Sequence, residues 1–133
     1  MEGPTLDGQR CVLIVDRSEE TREVLQTALE RRGWRIFLAS RADCGLELAR
    51  RHQPDLIVLD LELDDSRPED FLAPLPEGPR TDHTPLVMLG SIRRDRRRLP
   101  NGEFVSKPYH YGPLIRRIEE LLQETPGVLA RSA

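Results

Sequence analysis

The chain has 133 residues, enough for one domain and too few for two of ordinary size. Hydrophobic residues make up 38%, which excludes wholesale disorder; charged residues make up 32% yet leave a net charge of only −3, which excludes binding of nucleic acid through bulk charge. No apolar run nears the roughly 18 residues of a membrane helix, the opening MEGPTLDGQR lacks an apolar signal region, and Cys11 and Cys44 make no disulfide framework, so a reducing cytoplasm is expected.

Cys11–Asp16 (CVLIVD) is a continuous apolar run ending in an acid, which predicts a buried strand of a parallel sheet. Ser18 stands at an N-cap position, Glu19 and Glu20 follow it, and Val24, Leu25, Ala28 and Leu29 recur at helical spacing up to Gly33. Trp34–Ala39 (WRIFLA) predicts a second strand. Ser40 and Asp43 open a second helix carrying Leu46, Leu48 and Ala49, and Gln53-Pro54 closes it. Leu56–Asp60 (LIVLD) predicts a third strand, again ending in an acid. Pro68, Glu69 and Asp70 mark a helix start with Phe71 and Leu72 as its apolar residues, but Pro74, Pro76, Gly78 and Pro79 cut it short. Pro85–Gly90 (PLVMLG) and Glu103–Ser106 (EFVS) predict the fourth and fifth strands. Between them a turn at Leu99–Gly102 leaves Ser91–Arg98, at most about two helical turns. Pro113 starts a last helix with Leu114, Ile115, Ile118, Leu121 and Leu122 at helical spacing.

Five strands alternating with helices predict a single α/β domain with helices on both sheet faces. In such sheets ligands sit at the carboxyl ends of the strands. The residues expected there are Asp16, Asp60, Gly90 and Lys107. Two carboxylates suit Mg²⁺, an ammonium beside them holds an anion, and together these are the parts for phosphoryl transfer to Asp60. Lys107 is the only lysine in a chain with 19 arginines. A mere positive charge would be arginine here, so a compact ammonium at one position points to a geometric need.

Three segments, VLIVD before a helix, PDLIVLDLEL and FVSKPY, occur in this order and spacing. Together they resemble the receiver domain of bacterial two-component response regulators, over about Arg10 to Glu124. The resemblance implies a flavodoxin-like (CheY-like) fold: a five-stranded parallel sheet of order 2-1-3-4-5 with helices on both faces, here with the third and fourth helices shortened. It implies an N-terminal extension at 1–9, a receiver domain at 10–124 and a tail at 125–133. The module would be cytoplasmic and not an enzyme. It would take a phosphoryl group on Asp60 from a histidine kinase or phosphotransfer protein and signal to a downstream protein partner. By the same resemblance Asp16, Asp60 and the Glu62 carbonyl would hold Mg²⁺. Lys107 would contact the phosphoryl group, with Pro108 following a cis peptide bond. Gly90 and Phe104 occupy the switch positions.

Three departures stand out. Arg17 replaces the second acid of the usual pair, Gly90 replaces a Thr or Ser, and the segment from Gly90 to Lys107 is short. Weak or absent Mg²⁺ binding is therefore expected, and the alternative is a phosphorylation-independent pseudo-receiver, a protein-interaction module. Arg17 is expected to pair with Asp16 or Asp60. The remaining features read as structural. Arg93–Arg98 is a solvated run without interleaved aromatics, so nucleic acid is not indicated. Tyr109 and Tyr111 pack or cap, and Glu62, Asp64 and Asp65 form a solvated loop. His52, His83 and His110 lack metal-ligand spacing. A flavin or phosphoryl-handling enzyme would need a cofactor loop that the sequence lacks. The sheet face with two shortened helices is expected to be thinly covered and to suit a homodimer or partner.

Overall fold

A computed structural model of the chain describes residues 9–63, 70–71, 84–91 and 102–124. Five strands, β1 (Cys11–Val15), β2 (Arg35–Ala39), β3 (Leu56–Asp60), β4 (Leu86–Gly90) and β5 (Gly102–Ser106), form one sheet. All pairings are parallel, in the order β2-β1-β3-β4-β5. Three helices accompany them among the described residues: α1 (Glu19–Glu30), α2 (Ala42–His52) and α3 (Tyr111–Glu124).

The central strands carry apolar residues in both phases of their alternation because both sheet faces are covered. Val12, Ile14, Val58, Val87 and Leu89 point to one face, where Leu25 and Leu29 of α1 and Leu114, Ile118 and Leu122 of α3 close on them. Leu13, Val15, Ile57, Leu59 and Met88 point to the other face, which α2 and Phe71 cover. A one-residue slip of any central strand would exchange these sets, so the register is tightly specified.

The local signals act largely as expected. The Ser18 hydroxyl caps α1 by accepting the Thr21 N–H at 3.2 Å. Gln53 takes the left-handed conformation, φ 47°, and ends α2 just before Pro54. Helix α3 begins at Tyr111, two residues before the expected Pro113, which sits in the first turn where a missing N–H costs nothing.

Helix α2 differs from expectation in two ways. Its N-cap is Arg41, not Ser40, and makes no side-chain cap bond. Asp43 instead accepts the Cys44 N–H at 2.7 Å and clamps Arg41 at 3.2 and 2.7 Å. The helix also reaches the sheet through Ala42 and Gly45. A Cβ on Gly45 would stand 2.7 Å from a Val15 methyl, so only glycine allows this approach. The expected short helices around 68–72 and 91–98 lie outside the described residues, apart from Asp70, Phe71 and Ser91. The N-terminal residues 1–8 and the tail at 125–133 lie outside them as well.

Because every strand runs the same way, all their carboxyl ends share one edge of the sheet. Asp16, Asp60, Gly90 and Lys107 fall on that edge. Among the described residues, no helix is long and apolar enough to cross a membrane.

Candidate functional site

The chain leaves β1 for β2 on one side and returns to β3 on the other. A crevice opens at that reversal, as parallel sheets require. It is a cleft of about 690 Å³. Asp16 and Asp60 form its floor, only 2% and 5% exposed. Arg17, Glu62, Lys107 and the two tyrosines stand around them.

Backbone contacts set each floor residue. Asp16 follows β1, its N–H donating to the Ala39 carbonyl at 3.0 Å. Its Oδ1 accepts the Ser18 N–H at 2.8 Å, which ties the carboxylate to the start of α1. Asp60 ends β3, and its Oδ1 accepts both the Glu62 N–H and the Lys107 ammonium, each at 2.9 Å. Lys107 is held in turn by its own N–H, which donates to the Gly90 carbonyl at 2.8 Å. The Lys107–Pro108 peptide is cis, as expected. Lys107 Nζ also lies 3.7 Å from Glu62 Oε1.

The electrostatics follow from burial. Desolvation raises the Asp16 pKa, the Ser18 N–H partly offsets this, and the Asp60 charge raises it again. Burial pulls the Lys107 ammonium down, but the hydrogen bond and charge of Asp60, with help from Glu62 and Asp16, outweigh it and leave its pKa raised. The floor thus places two carboxylates in mutual repulsion, with the Lys107 ammonium bonded to Asp60.

Three side chains depart from or add to the sequence reading. Arg17 is exposed, and among the described residues it forms no ion pair with Asp16 or Asp60. The reason is competition. Lys107 has taken Asp60, the Ser18 N–H holds Asp16, and the side chain after a buried strand-end residue turns outward. Thr21 was not singled out, yet it is buried and lines the cleft, its hydroxyl 3.0 Å from the Tyr111 hydroxyl. Its position one turn before Leu25, on the core side of α1, was the available signal. Tyr109 meets Tyr111 edge-on at 5.9 Å, and burial raises its phenol pKa. The tyrosines therefore pack as expected, but they also wall the cleft.

The two residues expected at switch positions, Gly90 and Phe104, do not line the cleft. Phe104 packs with the core on the α2 face, and its register partner in β4 is Met88. A Cβ on Gly90 would come 3.1 Å from Leu61 Cβ, so the glycine relieves crowding as well as lacking a hydroxyl. His52 stacks on Phe37 at 3.9 Å, a packing role. His83, Asp64, Asp65 and Arg93–Arg98 lie outside the described residues. Among the described residues, no group of three His, Cys, Asp or Glu side chains gathers as a metal cage.

A family model described as the response regulator receiver domain matches residues 12–119. The chain belongs to this family. It is 32% identical over 124 residues to the KDP operon transcriptional regulatory protein KdpE of Escherichia coli, covering 90% of this chain and 54% of that protein. It is 25% identical over 118 residues to the polar-differentiation response regulator DivK of Brucella anthropi, covering 85% of this chain and 96% of that one. The chain thus spans about half the length of the transcriptional regulator KdpE but nearly all of DivK. A solved two-component response regulator from Clostridium difficile superposes with a TM-score of 0.69 at 22% identity, covering 87% of this chain and 98% of that one. Receiver domains are signalling modules of two-component systems. They work with histidine kinases or phosphotransfer proteins and downstream effectors, and they generally bind Mg²⁺ at the phosphorylation site.

Proposed function

We propose that this receiver domain accepts a phosphoryl group on Asp60 from a phosphohistidine of a kinase or phosphotransfer protein. The observation that carries the reading is the 2.9 Å contact between Lys107 Nζ and Asp60 Oδ1 on the floor of the cleft. One Asp60 oxygen attacks phosphorus, the P–N bond breaks, and the released imidazole nitrogen takes a proton from water. Lys107 and the Glu62 N–H orient the carboxylate, and Lys107 remains to balance the added charge. Gly90 and Phe104 are the proposed readout, since the Gly90 carbonyl holds Lys107 and Phe104 lies three residues before it on β5. The output passes by protein contact, to a partner or a second copy, in the cytoplasm.

Asp16, Asp60 and the Glu62 carbonyl are the ligands a Mg²⁺ would take, yet the residues around them fit it poorly. Two carboxylates can suffice for Mg²⁺, but here Asp60 Oδ1 already accepts two hydrogen bonds and Arg17 lines the same cleft. The Arg17 charge opposes a cation there, by less than the roughly 4 kcal/mol of a pair about 4 Å apart at an effective dielectric near 20, because the side chain is exposed.

The test is intact mass after incubation with phosphoramidate. The chain should gain one phosphoryl group, and Asp60→Asn should gain none. An unmodified wild-type chain would favour the pseudo-receiver reading, which Arg17 and Gly90 support.

A further inference from the structure

Among the described residues, Arg17 is the cation lining the cleft that the phosphoacceptor reading leaves unemployed. Lys107 is bonded to Asp60. Arg41, the other guanidinium in the adjoining cleft of about 490 Å³ that Arg17 also lines, is clamped by Asp43. Arg17 itself is exposed and, among the described residues, has no carboxylate partner. Among the described residues, the phosphoryl cleft is lined by three carboxylates, Asp16, Asp60 and Glu62, against two cations, Arg17 and Lys107. Converting the Asp60 carboxylate to an acyl phosphate replaces one negative charge with about two, which deepens the deficit. Arg17, exposed and lining the same cleft, offers a planar guanidinium whose fork matches two phosphate oxygens.

We propose that Arg17 grips the phosphoryl group on Asp60 and supplies the countercharge a divalent cation would otherwise bring, so that phosphorylation depends little on Mg²⁺. This rests on Asp60 being the phosphoacceptor. With phosphoramidate the step balances without a metal: the Asp60 carboxylate attacks phosphorus, the P–N bond breaks, and ammonia leaves with the protons already on its nitrogen. Arg17 bonds the equatorial oxygens throughout and transfers nothing, while Lys107 stays on the carboxylate. The positive charge of Arg17 also opposes a cation in the cleft that it lines with Asp16 and Asp60.

The experiment has two arms on the full chain. In calorimetric titration with MgCl₂, the wild type should show no saturation at millimolar concentration. Arg17→Asp should bind at least about tenfold more tightly. In phosphoramidate, the wild-type rate in EDTA should lie within about threefold of its rate in Mg²⁺, and Arg17→Gln should be slower in EDTA by about tenfold or more. Circular dichroism checks that each variant is folded, which an exposed position favours. Saturable millimolar Mg²⁺ binding by the wild type, modification only when Mg²⁺ is present, or an Arg17→Gln variant as fast as wild type in EDTA each overturns the proposal alone. No Asp60 modification in either buffer overturns the phosphoacceptor reading, and this one with it.

Discussion

Lys107 keeps two buried carboxylates tolerable, and its removal shows how much. Its side chain is 30% exposed against 7% for the Asp60 side chain, so the pair is partly screened. Lys107→Met should lower stability at neutral pH by about 1–2 kcal/mol, below the 3–5 of a fully buried pair. Urea denaturation should show the loss shrinking in acid, where carboxylates take up protons. Because the Lys107 pKa is raised, its contribution is complete between that acid range and the ordinary lysine value and is lost as pH rises through the raised one. Asp16 follows the same sign. Its raised pKa means the folded chain holds the proton more tightly than the unfolded chain, so ionisation destabilises the fold as pH rises through that window. Asp16→Asn, which keeps an oxygen for the Ser18 N–H, should raise Tm at pH 7 and change it little at pH 3. Asp16, Asp60 and Lys107 were legible because apolar strands stop at them. That Arg17 pairs with neither Asp16 nor Asp60 was not, since it depends on Lys107 taking Asp60 first.

Helix α2 shows where element-level reading fell short. Leu46, Leu48 and Ala49 gave the helical period, but the closest approach to the sheet is through Gly45, which has no hydrophobic signature. Alanine normally favours a helix over glycine by about 1 kcal/mol. Here its methyl would stand 2.7 Å from a β-branched, fully buried Val15 side chain. Overpacking of that kind costs about 1–3 kcal/mol. Gly45→Ala should therefore destabilise the chain by about 1 kcal/mol, read from the denaturation midpoint; stabilisation would mean that α2 yields more readily than its packing against β1 implies. The starts of α1 and α3 were nearly legible, because capping and proline chemistry are local. The start of α2 was not, because Asp43 serves Arg41 and Cys44 in place of a cap from Ser40.

At the scale of the whole molecule, parallel strands with apolar residues on both faces imply the layers, and the layers imply the edge where the site lies. The strand order came from resemblance rather than periodicity, since a buried strand does not say which neighbour it pairs with. The convergence of Asp60, Lys107 and Glu62 needed that order, because β3 and β5 meet only through β4. The central claim is that Asp60 is the acceptor among several nearby carboxylates. The most direct measurement is borohydride reduction after phosphoramidate treatment, followed by peptide mass spectrometry. Borohydride converts an aspartyl phosphate to homoserine, so the account predicts homoserine at position 60 alone; reduction at Asp16 or Glu62, or none at position 60, would contradict it.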